Sequence, residues 1–314
     1  MQIWRSLDEL PGDLGRTAVV IGNFDGVHLG HQHVVREARR AADAEGLRVV
    51  AVTFHPHPMA VLRPEHAPPS LTDLETRAAL LQAAGVDDVL ALPFDRDVAS
   101  WTPQEFARRV LARGLHAAVV VVGANFRYGT KASGDVGTLT ASGEELGFRA
   151  VGVALDGGPQ VWSSTYVRLC LATGDVAGAA EALGRPFTVR GVVVRGDQRG
   201  RELGFPTANV PTRDLTAAPA DGVYAGWLRR LDTGQRYPAA ISVGTNPTFE
   251  GERERRVESY VLDRDDLELY DVEVEVAFVD RIRGMVRFDG VDALVETMRG
   301  DVVRAHEILG VPIP

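Results

Sequence analysis

Five short, nearly continuous apolar runs in the first half of the sequence constrain its fold more than any other feature. They read TAVVIG, RVVAVTF, DDVLALP, AAVVVVG and RAVGVAL. Such runs are typical of strands that are covered on both faces. Helical patterns separate the runs, and Thr72-Asp-Leu-Glu75 and Thr102-Pro103-Gln-Glu105 resemble capping boxes at helix starts. The first half is therefore predicted to be an α/β domain with a mostly parallel sheet.

The pattern changes near residue 185. Apolar and polar residues then alternate, and every second residue from Val272 to Phe278 is apolar. Asp232-Thr-Gly234 can turn a hairpin. We expect antiparallel strands that close on themselves, followed by a helix from about Val291 to Leu309. The predicted domains are residues 1–185 and 186–314.

Composition limits the kinds of ligand. The formal net charge of −9 argues against a general nucleic-acid or anionic-membrane surface, so small ligands are expected. Cys170 is the single cysteine, which excludes an intrachain disulfide, and we interpret it as a small buried hydrophobe. The first residues lack a signal-peptide pattern, and no apolar run is long enough to cross a membrane. A cytoplasmic protein is expected.

The stretch VVIGNFDGVHLGHQHVV, residues 19–35, places two histidines where a predicted strand becomes a helix. If the helix begins near His28, then His28 and His31 lie on one face of its first turn, beside unpaired N–H groups whose dipole favours an anion. Imidazoles there could stabilise charge that grows on a phosphorus centre. The alternative is one capping and one solvated histidine. Strand, glycine-rich turn and helix together favour the catalytic interpretation.

Several motifs together resemble one known family. GNFDGVHLGH resembles the His-x-Gly-His signature of nucleotidylyltransferases, and SSTYVR resembles their second signature, whose Ser, Thr and Arg contact the departing pyrophosphate. RGRELGFPTANV resembles the riboflavin kinase loop with its Pro-Thr-Ala-Asn signature; ISVGTNPTF, RRVESYVLD and DVVRAHEIL follow in the expected order. With VGANFRYGTKASG, the resemblance to bacterial bifunctional riboflavin kinase/FAD synthetases spans nearly the whole chain.

The resemblance implies a Rossmann-like nucleotidylyltransferase domain followed by an antiparallel six-stranded β-barrel with a terminal helix. It implies that ATP phosphorylates riboflavin to FMN in the second domain, and that FMN is adenylylated to FAD in the first, with release of pyrophosphate. Both steps are expected to need Mg²⁺. The implied nucleotide contacts are Gly22, Asn23, Phe24, Asp25, Asn125, Ser164, Thr165, Arg168, Gly200 and Gly204. Two alternatives stay open, namely a barrel that binds flavin without kinase turnover and a flavin carrier. A homo-oligomer also stays open.

Three residues are expected to carry the kinase step. Thr207 and Asn209 are two apart on an extended segment, so both side chains would point the same way and offer oxygens to one Mg²⁺. The alternative is a surface hairpin. Alternation places Glu258 on the strand face that also carries Tyr260. A solvated strand charge is the alternative there; the resemblance implies that Glu258 accepts the proton of the riboflavin 5′-hydroxyl.

Some residues depart from the family pattern or suggest other sites. The departures are His55, at a usually acidic position, Trp162, at a small aliphatic one, and Asp271, at a common glycine. His55, His57 and His66 could suggest a metal site, but prolines around them favour a ligand-lining loop. Lys131 is the single lysine; a solvated loop residue is favoured over a triphosphate contact.

Overall fold

The computed structural model describes residues 1–154, 162–195, 203–212, 216–244 and 255–312. The chain divides into two compact units, Met1–Ser164 and Thr165–Pro314. Helices α7 (Ser164–Thr173) and α8 (Val176–Leu183) lie between this division and the predicted boundary at residues 185 and 186. The boundary after residue 185 therefore stays a prediction.

In the first unit, six described strands form one parallel sheet. They are β1 (Ile3–Trp4), β2 (Thr17–Ile21), β3 (Arg48–His55), β4 (Asp88–Pro93), β5 (Ala117–Gly123) and β6 (Arg149–Val153). Their order is β1-β4-β3-β2-β5-β6, and each neighbouring pair is parallel. The predicted Rossmann-like sheet is confirmed. The order reverses between β2 and β5, and ligands of open α/β sheets bind beyond the carboxyl ends of strands at such a point.

Helices cover both faces of this sheet. They are α1 (Leu29–Glu45), α2 (Pro58–Leu62), α3 (Leu74–Ala83), α4 (Arg96–Ser100), α5 (Pro103–Phe106), which continues as a π-helix over Ala107–Gly114, and α6 (Val136–Leu146). Val19 and Ile21 belong to one apolar core, Ala18 and Val20 to another. Successive residues of β2 thus enter opposite cores, which explains its uninterrupted apolar sequence.

The two predicted capping boxes had different outcomes. The one between Thr102 and Glu105 is present. The one from Thr72 is wrong, because α3 is capped by Asp73, whose carboxylate accepts the N–H of Thr76 at 2.7 Å. The Thr72 hydroxyl instead accepts the N–H of Gly26, far away in the sequence. The Thr72 hydroxyl thus makes a contact with a residue far away in the sequence instead of the predicted contact within the start of α3.

In the second unit, six described strands form an antiparallel sheet. They are β7 (Phe187–Val192), β8 (Thr207–Pro211), β9 (Gly222–Arg230), β10 (Arg236–Gly244), β11 (Arg256–Val261) and β12 (Glu273–Gly284), in the order β7-β12-β9-β10-β11-β8. A bridge between Val194 and Asn209 joins the two edges of the curled sheet. Helix α9 spans Val291–Leu309, as predicted. The six-stranded barrel with its terminal helix is confirmed.

Several details of the second unit explain its sequence. Val274, Val276 and Phe278 are fully buried, as the alternation predicts. Asp271, a departure from the family's glycine, has a φ of 61°, a left-handed conformation that glycine adopts freely and Asp tolerates better than most residues. Cys170 is a free, buried thiol on α7, as interpreted from the sequence. No helix in the described part of the chain is long and apolar enough to span a membrane.

Candidate active sites

The two histidines of the first unit lie where β2 passes into α1. His28 is the N-cap of α1, and its Nδ1 accepts the backbone N–H of His31 at 3.3 Å. The two imidazoles stack, with ring centroids 3.6 Å apart and planes 25° apart. The predicted pair on one face of the first turn is therefore present, and one of the two histidines is also a helix cap. The chemical role of both stays a prediction.

The hydrogen bond and the surroundings define the state of the two rings. Because Nδ1 of His28 accepts a hydrogen bond, the proton of its neutral ring lies on Nε2. The pKa of His31 lies well below its ordinary value of 6.5, first because the ring is desolvated, then because His28 and Arg77 act on it. Nδ1 of His31 is buried and has no hydrogen-bond partner within the described residues. His31 is therefore neutral at neutral pH.

The turn before the histidines has an unusual backbone. Phe24 and Val27 have φ values of 50° and 43°, and Gly26 has 82°. A non-glycine residue in this region costs on the order of 1–3 kcal/mol. The side chains of Phe24 and Val27 are each 1% exposed and belong to an apolar core, where burial of such a side chain contributes about 1.5–3 kcal/mol. Burial and strain are therefore of similar size, and hydrogen bonds add to what holds the turn in place.

A buried ionic network supplies those hydrogen bonds. The Asp25 carboxylate accepts the N–H groups of Leu71 at 3.0 Å and Thr72 at 3.1 Å. Arg77 Nη2 lies 3.4 Å from Asp25 Oδ1, and the two side chains are 5% and 2% exposed. The Asp25 side chain is thus engaged inside the protein, and its predicted nucleotide contact stays a prediction.

Arg77 was not singled out from the sequence, although a signal for it exists. Leu74, Ala78 and Leu81 are buried residues of α3 and follow the helical period. Arg77 falls on the same buried face. An arginine within an apolar stripe is rarely buried unless it is paired, so this position could have been predicted to carry a buried ion pair.

Two glycines near the histidines, one of them the predicted Gly22, have a structural reason to lack a side chain. A Cβ at Gly22 would lie 3.1 Å from the Phe24 ring. A Cβ at Gly30 would lie 3.1 Å from the His28 ring and 3.3 Å from the Trp162 carbonyl oxygen. Gly22 therefore lets the Phe24 ring approach the backbone of the turn, and Gly30 lets the His28 ring approach the start of α1. The predicted contact of Gly22 with a nucleotide stays a prediction, as does that of Asn23.

The remaining nucleotide contacts predicted for FMN adenylylation lie on two segments. The Ser164 hydroxyl donates to the carbonyl oxygen of Asp25 at 2.8 Å, which joins the second signature to the histidine turn. Asn125 is exposed and follows β5, the strand beside β2 at the point where the strand order reverses. Thr165 and Arg168 follow on α7, in the second compact unit. The roles of all four residues stay predictions.

An aromatic cluster that the sequence did not predict lies among the carboxyl ends of β3, β4 and β5. Phe54 packs edge-on against Phe94 at 5.6 Å, and Tyr128 contacts Phe106 at 5.7 Å and stacks on Phe126 at 5.3 Å between ring centroids. Phe54 and Phe126 are only partly buried. Rings of this kind can stack on a flat aromatic ligand.

The loop histidines and the lysine have local roles. His57 caps α2, with its Nδ1 accepting the N–H of Met59 at 3.1 Å, and His66 lies beside Glu65. Over the described ranges, no group of three or more His, Cys, Asp or Glu residues could hold a metal ion. Lys131 is exposed on a short 3₁₀ turn. Neither observation favours the metal site or the triphosphate contact over the interpretations preferred above.

The predicted kinase residues of the second unit are brought together by strand pairing. Strand β8 pairs with β11 so that Asn209 is opposite Glu258 and Thr207 is opposite Tyr260. Residues directly opposite each other have Cβ atoms about 4.5–5.5 Å apart on one face. The Asn209 amide Nδ2 donates to the Thr207 carbonyl oxygen at 3.1 Å. The ladder thus brings the predicted metal ligands and the predicted base together on one face.

Two cavities adjoin this ladder. The larger, of about 370 Å³, has mainly apolar walls and contains Glu258. The smaller, of about 120 Å³, is polar; Asn209 and Ser259 line it together with one arginine, Arg264, and three carboxylates, Asp265, Asp266 and Glu268. Thr207 borders both cavities, whereas Glu258 borders the larger and Asn209 the smaller.

Helix α9 and the strand before it complete the larger cavity. Its walls there include Met285, Val291, Leu294, Met298 and Val302. Asp301 accepts two hydrogen bonds from Arg283, at 2.8 and 2.7 Å, which ties α9 to β12. Gly204, before β8, has a φ of 86°. Its predicted nucleotide contact stays a prediction, and Gly200 lies outside the described residues.

Comparisons with known proteins match the first part of the chain to one family and the second part to another. A family model described as FAD synthetase matches residues 11–164, and one described as riboflavin kinase matches residues 183–309. Relatives named bifunctional riboflavin kinase/FMN adenylyltransferase are 36% identical in Escherichia coli, over 94% of each chain, and 32% identical in Bacillus subtilis, over 91% of this chain and 90% of the relative. A solved Streptococcus pneumoniae structure described as a macrolide-efflux protein has a TM-score of 0.85 and 32% identity, over 97% of this chain and 98% of that one.

Proposed function

Because the chain belongs to the bifunctional riboflavin kinase/FMN adenylyltransferase family, we propose that its two reactions take place at the two sites described above. The chain is an enzyme of flavin cofactor biosynthesis that forms FMN from riboflavin and ATP, and FAD from FMN and ATP. Both domains are present, so a flavin carrier and a barrel without kinase turnover are set aside. What remains to be proposed is which residues perform each step.

The first reaction of the proposal is the kinase reaction, in which riboflavin occupies the larger cavity. Its apolar walls suit a fused aromatic ring, and Glu258 lies in the same cavity. The Glu258 carboxylate accepts the proton of the 5′-hydroxyl as that oxygen attacks the γ-phosphorus of ATP. ADP leaves, and FMN remains. Because the carboxylate can act only on a hydroxyl within its reach, its position also decides which hydroxyl of riboflavin reacts.

The phosphates of ATP are proposed to lie at the smaller, polar cavity. Thr207 and Asn209 offer a hydroxyl and an amide oxygen, which are hard ligands that suit Mg²⁺. When bound, the ion would neutralise charge on the transferred phosphoryl group. The position of Thr207 on both cavities is the observation that carries this proposal, since transfer requires the donor phosphate and the acceptor hydroxyl to meet.

In the second step, FMN is proposed to attack the α-phosphorus of another ATP near the histidine turn, and pyrophosphate leaves. The Nε2–H group of His28 and the backbone N–H groups at the start of α1 are donors for charge on the phosphoryl oxygens. The neutral His31 ring stacks on His28 and fixes its orientation. The aromatic cluster beyond β3 and β5 offers ring faces for the flavin. Ser164, Thr165 and Arg168 are proposed to hold the pyrophosphate.

A cytoplasmic location belongs to the same proposal. The substrates are ATP and flavins, and the single cysteine is a free thiol whose pKa is raised by burial. Such a thiol is less reactive than an exposed one, as suits a protein that does not use disulfides.

The position of Thr207 can be tested with a matched pair of substitutions. Thr207→Val keeps the shape and removes the hydroxyl, whereas Thr207→Ser keeps the hydroxyl. We expect Thr207→Val to lower riboflavin phosphorylation by about a hundredfold, the scale of losing one preorganised group at a phosphoryl-transfer site, with a raised requirement for Mg²⁺. Thr207→Ser should retain most activity. Separation of riboflavin, FMN and FAD after incubation with ATP and Mg²⁺ measures both steps, and equal activity of the two variants would contradict the proposal.

A further inference from the structure

A buried arginine lies behind the histidine turn, outside the residues assigned to chemistry. We propose that Arg77 is a positioning residue for FMN adenylylation: its guanidinium, through Asp25, Thr53 and Thr72, fixes the turn that presents His28 and His31. This inference rests on the proposed role of the two histidines. It adds to that role a residue that lies on another helix.

Among its contacts, the guanidinium reaches three buried side chains. Arg77 Nη2 lies 3.4 Å from Asp25 Oδ1 and donates to the Thr72 carbonyl oxygen at 3.2 Å. Nη1 donates to the Thr53 hydroxyl at 3.3 Å, and Nε donates to the Thr72 hydroxyl at 3.5 Å. All of these groups are buried. One planar cation therefore joins the end of β3, the segment before α3 and the histidine turn, a geometry that lysine cannot reproduce.

The same three side chains hold the turn itself. The Thr53 hydroxyl donates to the carbonyl oxygen of Asn23 at 3.0 Å. The Thr72 hydroxyl accepts the N–H of Gly26 at 3.3 Å, and Asp25 belongs to the turn. These anchors lie on either side of Phe24, one of the two non-glycine residues of the turn with positive φ. A strained conformation persists when its surroundings over-determine it, and the network built on Arg77 does so here.

Arg77 also acts on His31 through its charge. Among the described residues, the charged or titratable groups that act on His31 are His28, at the start of the same helix, and Arg77, on α3; Asp25 pairs with Arg77. Both His28 and Arg77 lower the pKa of His31, after desolvation, which is the largest cause. Removal of the cation is therefore expected to raise the pKa of His31 toward 6.5. A purely structural arginine elsewhere would leave this value unchanged.

The test compares Arg77→Met, Arg77→Lys and Arg39→Met in the full chain. Arg39 is the control because it lies on α1, is partly buried where Arg77 is buried, and pairs with Asp43 and Asp87 away from the turn. For Arg77→Met we expect the kcat of FMN adenylylation to fall about a hundredfold, the scale of a misplaced catalytic group, with little change in KM and normal riboflavin phosphorylation. Arg77→Lys keeps the charge and loses the fork, so its kcat should fall less and its His31 pKa should stay low.

The His31 pKa is measured by NMR titration of the histidine rings, with His31→Ala identifying the signal. Unchanged kcat and unchanged titration in Arg77→Met would overturn the inference, as would an equal loss in Arg39→Met. If His31→Ala itself forms FAD normally, the proposed role of the histidines fails instead.

A second variant decides the matter if Arg77→Met does not fold. Thr53→Val is nearly isosteric and removes only the hydroxyl between Arg77 and Asn23. We expect it to fold, to phosphorylate riboflavin normally, and to form FAD about tenfold more slowly, a smaller loss because one anchor is removed and the others remain. FAD formation by Thr53→Val at the parental rate would overturn the inference.

Discussion

The two candidate sites are built in different ways. The histidine turn of the first unit combines positive φ values at Phe24 and Val27 with a buried ion pair between Asp25 and Arg77. The kinase site of the second unit rests on regular antiparallel pairing, with Asn209 directly opposite Glu258. In the first, side chains hold the backbone in place. In the second, the backbone ladder holds the side chains in place.

Because the two sites are built differently, substitutions in them are expected to affect the reaction and the fold to different degrees. A side chain on a regular ladder can be replaced without loss of the strand pairing, because backbone groups make the pairing. A side chain in a buried ionic network leaves an uncompensated partner behind when it is removed, at a cost of about 3–5 kcal/mol. Substitutions at the kinase site should therefore report on the reaction, whereas those behind the histidine turn report on the reaction and the fold together.

The largest effect is expected from separating the two sites. A fragment that ends near residue 185 should convert FMN to FAD and should not phosphorylate riboflavin at all, because β8 and β11 carry the proposed kinase residues. Supplying FMN and riboflavin in parallel assays, followed by separation of the flavins, measures this. If the folded fragment requires residues 186–314 for any turnover, the sites are not independent.

The substitution Glu258→Gln tests the ladder site. Glutamine keeps the shape and loses the basicity, so riboflavin phosphorylation should fall by about a hundredfold to ten-thousandfold, the range for a positioned general base, while supplied FMN still gives FAD. Glu273→Gln is the control, since Glu273 is a strand glutamate that pairs with Arg190 at the surface. Normal kinase activity in Glu258→Gln would leave Glu258 as a solvated strand charge.

The substitution His31→Ala tests the histidine turn. We expect FMN adenylylation to slow by about a hundredfold or more, the scale of losing a preorganised group beside developing charge, while kinase activity persists. His33→Ala, on the same helix and outside the stacked pair, should behave like the parent. FAD formation at a near-parental rate in His31→Ala would return both histidines to capping and solvation.

The smallest effect concerns the pH dependence of stability. The pKa of His31 is lowered in the folded protein, so below pH 6.5 the unfolded chain binds a proton that the folded one does not. The free energy of unfolding of the first unit should fall as the pH decreases through 6.5, with a slope of at most about 1.4 kcal/mol per pH unit from this group. Urea unfolding of the parent and of His31→Asn at several pH values measures it. Identical slopes would show that His31 is not the group responsible.

The strand pattern was predictable in both units because it follows from burial alone. Alternate residues of β2 enter two cores, and alternate residues of β12 enter one, so their sequences differ as expected. The face of Glu258 was predictable for the same reason. Its pairing with Asn209 was not predicted, because the register of two strands far apart in sequence depends on the closed sheet.

The support of the histidine turn was less predictable because it consists of tertiary contacts. The sequence around Thr72 matches a capping box, yet its hydroxyl contacts Gly26 and Asp25, and Asp73 takes over as cap. In the sequence, Arg77 is likewise only one charged residue of a predicted helix, because its buried partners are not its neighbours along the helix. A sequence pattern describes neighbours along an element, whereas these partners come from three separate segments.

The bridge that closes the barrel places Asn209 on a seam. The N–H of Val194 donates to the Asn209 carbonyl oxygen at 2.9 Å, and this is an isolated bridge rather than part of a ladder. An isolated bridge opens more readily than a continuous ladder, because its opening breaks few other bonds. Local opening of the seam would move the backbone of a proposed metal ligand without unfolding the sheet. The Val194 amide should therefore exchange its hydrogen early, and Mg²⁺ with ATP should slow that exchange by holding the seam closed.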